Sequence, residues 1–562
     1  MQTEQSSVQK YTRMKNKLLF LIALFPILLV GQNTVGLLSY DPAFTYDGYN
    51  LIYPHNQPHV YLLDNCGEIV NVWEDSLQYR PGNTAYLLDD GRLLKTKRAS
   101  TVVNDAIWAG GGGAIVEIRD WDNNLEWSYT LNNDTTRLHH DVEMIPNGNV
   151  LMIVWELKTR EEAIQAGRDP SLLDTDELWP DYVIEVNPET DEIVWEWHFW
   201  DHLIQDFDDT KDNFGVVADN PGLLNINFDD DGSADWLHCN SIDYNPDLKQ
   251  ILLSTPFLSE IYIIDHSTSP SQAASNIGGL GGVGGNFLFR WGNPQVYDAG
   301  TAEDQQLFNN HDAHWVLDFV DLAHPQYGKI AVFNNQAGPD FSTVNTLRPS
   351  WDMYSWSYLR FDGQFGPAVF DVTITHPDTQ ALYSTGLSSV QFLPNNNTLI
   401  CGGRNGYSFE LTPNNEIVWE YKTPLQGGIP VTQGTELALN ANLTFRIDRY
   451  PTDYSAFADR DLSSKGWIEL EPDSTLCGIL LPTSDLMKQY SLHIYPNPAQ
   501  DVLTIEWEGG VYVNIEIFDF LGRRVDYFRA TGGRKYLDVS RWQKGIYFVQ
   551  VGGIQTQKLI VN

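Results

Sequence analysis

The chain has 562 residues, of which 74 are acidic and 35 basic, so its formal charge at pH 7 is −39. A surface this acidic repels nucleic acids and anionic lipids, and neither is expected as a partner. The length exceeds one ordinary hydrophobic core, and 18 Trp and 27 Tyr beside 44 Gly and 28 Pro favour an all-β class built from repeats or several domains.

The N-terminus has the features of a secretory signal. Lys15 and Lys17 precede an apolar run over residues 18–30, and Gly31 follows it. The run is short for a membrane span, and a basic flank before a short apolar run is typical of a cleavable signal. We predict a signal peptide over residues 1–31 and an exported mature protein without a transmembrane anchor.

Two sequence phrases alternate through the next part of the chain. One is a hairpin whose turn is rich in Pro, Asn, Asp and Gly, as in residues 87–94, 144–151 and 393–400. The other is a strand of alternating polarity with a Trp near its end, found in residues 67–74, 124–127, 192–197, 287–291 and 416–421. A hairpin of each kind makes a four-stranded unit, which is typical of a β-propeller blade.

Five such units begin near residues 85, 140, 240, 314 and 388. A sixth would form if the lone strand phrase near residues 62–74 paired with a strand near residues 445–450. That pairing would close a ring by joining its two ends. We therefore predict an all-β fold with a six-bladed β-propeller over residues 35–468.

The repeat stops near residue 470. A linker is predicted over residues 469–489. Short strands of alternating polarity follow from His493 onward. Residues 490–562 are therefore predicted to form a small, separate β-sandwich.

Four cysteines are present: Cys66, Cys239, Cys401 and Cys477. Four cysteines allow three pairings, and the sequence does not choose among them. Cys66 and Cys477 lie near the two ends of the repetitive body, so a bridge between them is one possibility. Cys239 follows a histidine, but the partner spacing of a Cys/His zinc site is absent.

Histidines fall where three consecutive blades would enter the central channel, in segments 139–141, 238–240 and 311–314. Because the inner strands of a propeller line its axis, these imidazoles are expected to converge. Imidazole acts as a nucleophile or as a general acid and base near neutral pH. Paired carboxylates are missing nearby, so group transfer fits better than glycoside hydrolysis, and a three-histidine metal site is the competing interpretation.

One acidic segment reads either as a calcium loop or as an acidic turn. Asn227, Asp229, Asp231 and Asp235 occupy positions one, three, five and nine of a calcium-binding oxygen ladder. Position twelve holds His238 in place of a bidentate Glu. A structural calcium ion bound here would fix the loop that carries His238.

Four motifs together resemble the bacterial aryl-sulfate sulfotransferase family: residues 139–141 with 146–149, 235–242, 290–294 and 308–313. The likeness covers roughly residues 35–465. It implies a six-bladed propeller that moves a sulfuryl group from a phenolic sulfate ester to a phenol. The family uses no nucleotide donor, so the resemblance implies that no cofactor is required.

The resemblance also implies roles for individual residues. His311 is expected to be the nucleophile and to form a sulfohistidine. His140 and His238 would donate protons or hydrogen bonds to the phenol oxygens, and Asn240 would help hold the sulfuryl oxygens. Three further substrate-binding candidates are His139, His314 and Arg290.

One departure from the family concerns the sulfate anchor. The family carries an Arg in the strand after the second histidine, and by spacing Pro256 takes that place here. Arg is the natural bidentate partner of an oxyanion, and its loss favours the alternative of a non-catalytic propeller that binds a ligand or partner, or an enzyme with a different substrate. A metal-dependent hydrolase on the same histidines is a third interpretation. Candidates to replace the anchor are Arg290, Arg348, Arg360 and Arg404.

The C-terminal region is similar to the type A sorting domain of type IX secretion. The likeness rests on residues 495–498, 517–523, 544–547 and 557–561. It implies that the type IX secretion apparatus is a partner. The protein is then expected to cross the outer membrane and to be secreted or held at the cell surface.

Overall fold

A computed structural model describes residues 33–99, 107, 109–228, 232–477, 492–507, 513–519, 523–530, 533–551 and 555–562. The predicted signal peptide lies outside these residues. Within the described part of the chain, no helix is long and apolar enough to cross a membrane.

Among the described residues, six antiparallel sheets of four or five strands form the body, and we number them as blades 1–6. Each inner strand contacts the inner strands of the two neighbouring blades, so the ring is closed and the predicted six-bladed propeller is confirmed. The blades, each from its inner to its outer strand, are Thr444–Pro451, Gly48–Pro54, Val60–Leu63 and Ile69–Trp73 (blade 1); Tyr79–Leu87, Leu93–Ala99, Ile115–Arg119 and Leu125–Thr130 (blade 2); Thr136–Met144, Val150–Glu156, Asp181–Asn187 and Glu192–His198 (blade 3); Ser241–Asn245, Gln250–Thr255, Glu260–Asp265 and Phe289–Trp291 (blade 4); His311–Trp315, Ile330–Asn334, Thr343–Leu347 and Val372–Ile374 (blade 5); and Ser389–Phe392, Thr398–Gly402, Tyr407–Leu411 and Ile417–Lys422, with Gly36–Tyr40 as a fifth strand (blade 6).

Short elements connect these strands. The α-helices in the part of the chain that the structure describes are Arg160–Gln165 and Pro270–Ala273. Two-residue strand pairs are Lys158–Thr159 with Glu177–Leu178, Leu203–Ile204 with Leu224–Asn225, Trp351–Asp352 with Ser357–Tyr358, Arg360–Phe361 with Gln364–Phe365, and Leu425–Gln426 with Ile429–Pro430. The 3₁₀ turns are Pro170–Leu172, Phe199–His202, Val217–Asp219, Pro294–Tyr297, Thr379–Leu382, Gly403–Asn405, Ser455–Phe457 and Ser474–Leu476.

Blade 1 joins the two ends of the body. Its inner strand comes from the C-terminal end and pairs with Gly48–Pro54, from Gly48 opposite Pro451 onward, which is the closure predicted from sequence. A disulfide between Cys66 and Cys477 links the same two ends across 411 residues. The other two cysteines, Cys239 and Cys401, are buried free thiols.

The recurring turn residues explain the hairpins. Gly91, Gly148 and Asn396 occupy the same place in the inner hairpins of blades 2, 3 and 6, with φ of 86°, 85° and 68°. Gly and Asn tolerate this left-handed conformation, whereas most side chains do not. Each turn therefore sets the register of the inner strand that reaches the axis.

The recurring tryptophans form hydrogen bonds from one blade to the next. In five blades an outer-strand indole N–H donates to an oxygen of the following blade. The pairs are Trp73 with Asp120 O (2.9 Å), Trp127 with Asp191 Oδ1 (2.8 Å), Trp195 with Thr268 Oγ1 (3.3 Å), Trp291 with Pro367 O (2.6 Å) and Trp419 with Asn65 O (2.8 Å).

The C-terminal region forms the predicted small β-sandwich, with its own core. One sheet contains Leu492–Tyr495, Val502–Trp507 and Arg534–Asp538, and the other contains Arg524–Ala530, Val513–Asp519, Gly545–Val551 and Gln555–Val561. Residues 469–477, at the start of the predicted linker, lie on the body: the Leu470 N–H donates to Val431 O at 2.9 Å.

Candidate functional site

The three predicted histidines meet at one end of the channel. The rings of His140 and His238 are 4.5 Å apart, and His140 and His311 both lie 6.3 Å from the Phe445 ring. His140 and His238 have φ of 50° and 55°. Such left-handed backbone costs about 1–2 kcal/mol for a residue with a Cβ, and strained backbone concentrates at functional sites.

The ring of His311 is held in one tautomer. Its Nδ1 lies 2.8 Å from Asn335 Oδ1 and 3.1 Å from Asn309 O, and both of these atoms are acceptors. The Asn335 amide is itself oriented, because its Nδ2 donates to the carbonyls of Ser384 and Leu387 at 2.8 and 3.0 Å. Nδ1 must therefore carry the proton, and Nε2 keeps a free lone pair.

His311 is also uncharged at neutral pH. Burial lowers the pKa of His311 to about 4, although its bonds to Asn309 and Asn335 act in the opposite direction. The charges of His238 and Arg404 lower that pKa further. A neutral imidazole with Nε2 unprotonated is the form that acts as a nucleophile.

His238 behaves differently because a carboxylate contacts it. Burial alone would lower the pKa of His238, but Asp235, whose Oδ2 lies 2.5 Å from Nδ1, raises it above its ordinary value. Phe257 stacks on the other side of the ring at 4.6 Å. His238 is thus the one of the three that favours the protonated, hydrogen-bond-donating form.

His140 is connected to a second buried histidine. Its Nδ1 lies 2.9 Å from His139 Nδ1, and the Nε2 of His139 lies 2.6 Å from Asp181 Oδ1. Burial, followed by the charges of His238 and His139, lowers the pKa of His140 well below its usual range. His139 stacks on Trp155 with ring centroids 3.7 Å apart, so it lies behind His140 and not in the channel.

Asn240 is buried next to the histidines and contacts the segment that leads to His311. Its Nδ2 donates to Asn310 O at 2.8 Å, and its backbone N–H donates to Ser254 O at 2.9 Å. One amide hydrogen is thereby used to hold the residue before His311. Among the described residues the amide nitrogen has no second acceptor, and its Oδ1 is buried without a partner.

The arginines differ in what they contact. Arg290, a sequence candidate, is fully buried and paired with Glu260 in blade 4, away from the histidines. Arg348 donates to Tyr327 O, and Arg360 lies over the Phe365 ring. Arg404 is the arginine of the four whose charge lowers the pKa of His311.

Arg404 follows the second strand of blade 6 in the 3₁₀ turn Gly403–Asn405. Its Nε is buried and has no hydrogen-bond partner among the described residues, and its Nη1 lies 3.3 Å from Asn440 Oδ1. Pro256, at the position expected to hold an anchor, accepts a hydrogen bond from Ser259 and brings Phe257 onto His238.

His314 lies on the same strand as His311 but further along the channel. Its Nδ1 is 3.0 Å from Asp312 O, and its side chain lines a cavity of about 730 Å³ that does not include the three convergent histidines. Arg446 lies between the three convergent histidines and this cavity, with Nη2 2.7 Å from Asp312 and 3.3 Å from Asp141.

The predicted calcium ladder is described only at its two ends, since Asp229 and Asp231 lie outside the described residues. The Oδ1 of Asn227 accepts the Asp169 N–H at 2.7 Å, and Asp235 contacts His238. Among the residues that the structure describes, no group of three or more His, Cys, Asp or Glu side chains could hold a metal ion. Calcium at this segment stays a prediction.

Several neighbours of the histidines were not found from sequence. The sequence predicts Asp235 as a member of the acidic loop, and its spacing of three from His238 is the signal that it orients the ring. Asp181, Trp155 and Asn335 carry no local signal, because they reach the site from the second or third strands of blades or from the turns after them.

Comparison with protein families agrees with both resemblances. Residues 4–270 match the arylsulfotransferase (ASST) family, and residues 493–562 match the secretion system C-terminal sorting domain. The matched part of the body is therefore arylsulfotransferase-like; the match includes His140, His238 and Asn240 and ends before His311. The sorting domain indicates export, with a secreted or cell-surface location.

No curated protein matches the chain. Similar solved structures include a protein of unknown function from Bacteroides caccae, which is 12% identical, covers 67% of this chain and 94% of that one, and gives a TM-score of 0.35. Streptogramin B lyase is 10% identical over 75% of this chain and 96% of that one, with a TM-score of 0.33. Virginiamycin B lyase from Staphylococcus aureus is 10% identical over 70% and 89%, with a TM-score of 0.31. Likeness at this level says nothing about activity.

Proposed function

We propose that the body is an exported aryl-sulfate sulfotransferase that moves a sulfuryl group from a phenolic sulfate ester to a phenol through a sulfohistidine on His311. The observation that carries the proposal is the state of His311: Asn335 and Asn309 hold Nδ1–H, burial keeps the ring neutral, and Nε2 is a free lone pair. The arylsulfotransferase family match supports the substrate class.

In the first half-reaction the Nε2 lone pair of His311 attacks sulfur. A nitrogen–sulfur bond forms as the bond from sulfur to the phenol oxygen breaks. His140 and His238 act on that oxygen, which needs a proton or a hydrogen bond as negative charge develops on it. In the second half-reaction the acceptor phenol oxygen attacks sulfur and gives its proton back to His140 or His238. The bond between sulfur and Nε2 breaks, which restores the His311 lone pair.

Arg404 is proposed to supply the anion contact that Pro256 does not. Sulfuryl transfer, like phosphoryl transfer, depends mainly on positioning and on donors for the equatorial oxygens. The Arg404 Nε is buried without an acceptor among the described residues, and its charge acts on His311. Asn240 is proposed to add its second amide hydrogen to the same oxygens.

No step above uses a cofactor. Calcium at Asn227, Asp229, Asp231 and Asp235 is proposed only as a structural ion near the Asp235–His238 pair. Donor and acceptor are small phenolic molecules, and the type IX secretion apparatus is the proposed partner during export.

The experiment is an acceptor-dependent assay on the mature chain. Release of nitrophenol from p-nitrophenyl sulfate is followed with and without a phenol acceptor, for the wild type, His311→Ala and a control, His324→Ala, which changes a histidine outside the site. Acceptor-dependent release that survives EDTA and disappears only in His311→Ala supports the proposal. Silence with every phenol tested overturns it in favour of a non-catalytic propeller, and hydrolysis that is lost with EDTA overturns it in favour of a metal-dependent hydrolase.

A further inference from the structure

The inner strand of blade 2 has an irregular residue at the histidine end of the channel. Asn83 has φ of 119°, a conformation that favours glycine, and it lies in a β-bulge, because the register with the second strand shifts between Pro81 and Ala85. Bulges and positive φ at residues with a Cβ concentrate beside functional sites. The next residue contacts the site, since Thr84 Oγ1 donates to His140 O at 3.3 Å. Asn83 therefore lies at the level of His140.

The side-chain amide of Asn83 has a donor without an acceptor. The residue is 3% exposed, and its Nδ2 is buried with no hydrogen-bond partner among the described residues. A buried donor that lacks an acceptor destabilises the folded state. A native fold rarely keeps such a group without a function, and here it coincides with strained backbone.

His55 of blade 1 contacts the other end of this amide. It follows the second strand of the blade, and its backbone N–H donates at 2.9 Å to the carbonyl of Leu443, two residues before Phe445. Burial and the charge of Arg98 lower the pKa of His55 to about 4, and a side-chain hydrogen bond with Asn83 acts in the opposite direction. Such a bond runs from the imidazole to the Asn83 oxygen, which leaves Nδ2 as the free end of the amide.

The same part of the channel holds the arginine proposed above as the anion contact. The charge of Arg404 acts on both His55 and His311, and the charge of His55 acts on His140. Arg404 Nε and Asn83 Nδ2 are thus two buried donors from blades 6 and 2, and blade 1 with His55 lies between those blades. The ring is thereby divided: blades 3, 4 and 5 carry the convergent histidines, and blades 6, 1 and 2 carry donors for an anion.

We propose that Asn83 Nδ2 is an oxyanion donor that binds a sulfuryl oxygen together with Arg404 Nε, and that His55 positions Asn83. The inference rests on the sulfotransferase function proposed above. A sulfuryl group presents three non-bridging oxygens, and donors that are fixed before the reaction stabilise the charge on them. Asn83 touches the substrate, whereas His55 acts through Asn83.

The test uses a substitution that removes the donor without straining the fold. Asn83→Gly deletes the amide and relieves the φ of 119°, because glycine adopts positive φ readily. We expect kcat for sulfuryl transfer from p-nitrophenyl sulfate to fall about 10²–10³-fold, as for loss of one oxyanion donor, with Tm unchanged or higher. A purely structural role predicts a lower Tm with nearly normal kcat, and that result overturns the inference.

Two matched variants accompany this substitution. Asn396→Gly makes the same change at an exposed turn residue with φ of 68° and should leave kcat unchanged. Asn83→Asp keeps the size of the side chain and an oxygen for His55 but replaces the donor with an acceptor. It should lose at least as much activity as Asn83→Gly, and normal kcat in Asn83→Asp overturns the inference even if Asn83→Gly does not fold.

A double variant tests the positioning role of His55. His55→Phe keeps a ring but loses the hydrogen bond to Asn83, and kcat should fall about 10-fold, as is typical when a residue that orients a functional group is lost. The variant that combines it with Asn83→Gly should be no slower than Asn83→Gly alone, because His55 acts through Asn83. Losses that multiply contradict the positioning role.

Binding of inorganic sulfate separates this inference from the proposed function. Calorimetric titration of the mature wild type with sulfate should show binding, and Asn83→Gly should weaken it about 10-fold or more, the contribution of one hydrogen bond to a charged group. Asn396→Gly should bind as the wild type does. If the wild type transfers no sulfuryl group, the proposed function fails while the titration still decides the inference. Equal affinities of the wild type and Asn83→Gly, or no measurable sulfate binding by the wild type, overturn it.

Discussion

The two ends of the central channel are built from the same inner strands but carry opposite chemistry. At one end the strands and the segments that precede them present His140, His238 and His311. Further along the channel, the inner strands present carboxyl groups and one histidine to the cavity of about 730 Å³. These further residues are Glu143, Asp243, His314 and Asp448.

The difference shows how the repeat separates the histidine site, where a sulfate ester would bind, from the carboxyl groups on the same ring of inner strands. Arg446 lies between the two ends of the channel. It pairs with Asp141 and Asp312, the residues that directly follow His140 and His311. At the histidine end Arg404 contributes a positive charge, which lowers the pKa of His311. A sulfate ester carries negative charge, so it is expected to bind at the histidine end and to be repelled from the carboxylate end.

The largest effect is expected from removing Arg446, which lies between the two ends of the channel. Arg446→Met leaves Asp141 and Asp312 buried without their shared cation, which typically costs about 3–5 kcal/mol. We expect the free energy of unfolding in urea to fall by that amount. A loss below about 1 kcal/mol would mean that the two aspartates are satisfied without Arg446 and that the barrier between the ends lies elsewhere.

The second prediction concerns the Asp235–His238 pair at the histidine end. Asp235→Asn removes the carboxylate that raises the pKa of His238, so that ring becomes neutral and loses its orientation. We expect kcat for sulfuryl transfer to fall about 10²–10³-fold, as for loss of one oxyanion donor. Thermal unfolding serves as the check on folding, and full activity in a folded variant would show that His238 is not a donor.

The third prediction concerns Arg404. Arg404→Ala removes one charge-assisted contact, worth about 1.5–3 kcal/mol, so kcat/KM should fall about 10–10²-fold. Because the Arg404 charge lowers the pKa of His311, its loss should also move the acid limb of the kcat/KM profile from about pH 4 to a higher pH. Arg348→Ala is the matched control, and identical behaviour of the two variants would exclude Arg404 as the anchor.

The smallest effect is expected at the carboxylate end. Burial raises the pKa of Asp448 from 3.8 to about 7, so the folded state keeps a proton that the unfolded chain loses above about pH 4. This group therefore costs stability progressively as the pH rises from about 4 to 7, and the cost is constant above that range. Asp448→Asn should raise Tm by a few degrees at pH 8 and leave it unchanged at pH 4. A gain that is equal at both pH values would contradict the assignment.

Much of the fold follows from local sequence. Turn residues such as Gly148 and Asn396 specify hairpins that are short enough to form from neighbouring residues, and repetition of these hairpins indicates blades. The closure by residues 445–450 was predicted because an unpaired strand phrase at one end required a partner. The three histidines were predicted because each lies in or just before an inner strand, and all inner strands meet at the axis.

The residues that contact the three histidines and hold them in place could not be predicted in the same way. Asn335 follows the second strand of blade 5 and Asp181 begins the third strand of blade 3, so neither is near its histidine in sequence. Arg290 and His314 matched the expected residue types, yet blade packing put Arg290 on Glu260 and turned His314 toward the cavity at the other end. Residue type and spacing do not report which way a side chain faces once blades twist.

The amino-acid sequence is enough to predict the all-β class, the number of blades, the ring closure and the C-terminal sorting domain. It also predicts the convergence of His140, His238 and His311. The reason is that short hairpins and a closed repeat leave little freedom in where inner strands lie. Only the tertiary structure decided the protonation of those histidines and which arginine accompanies them. Those properties depend on burial and on partners from distant strands, such as Asn335 for His311, and no local pattern encodes them.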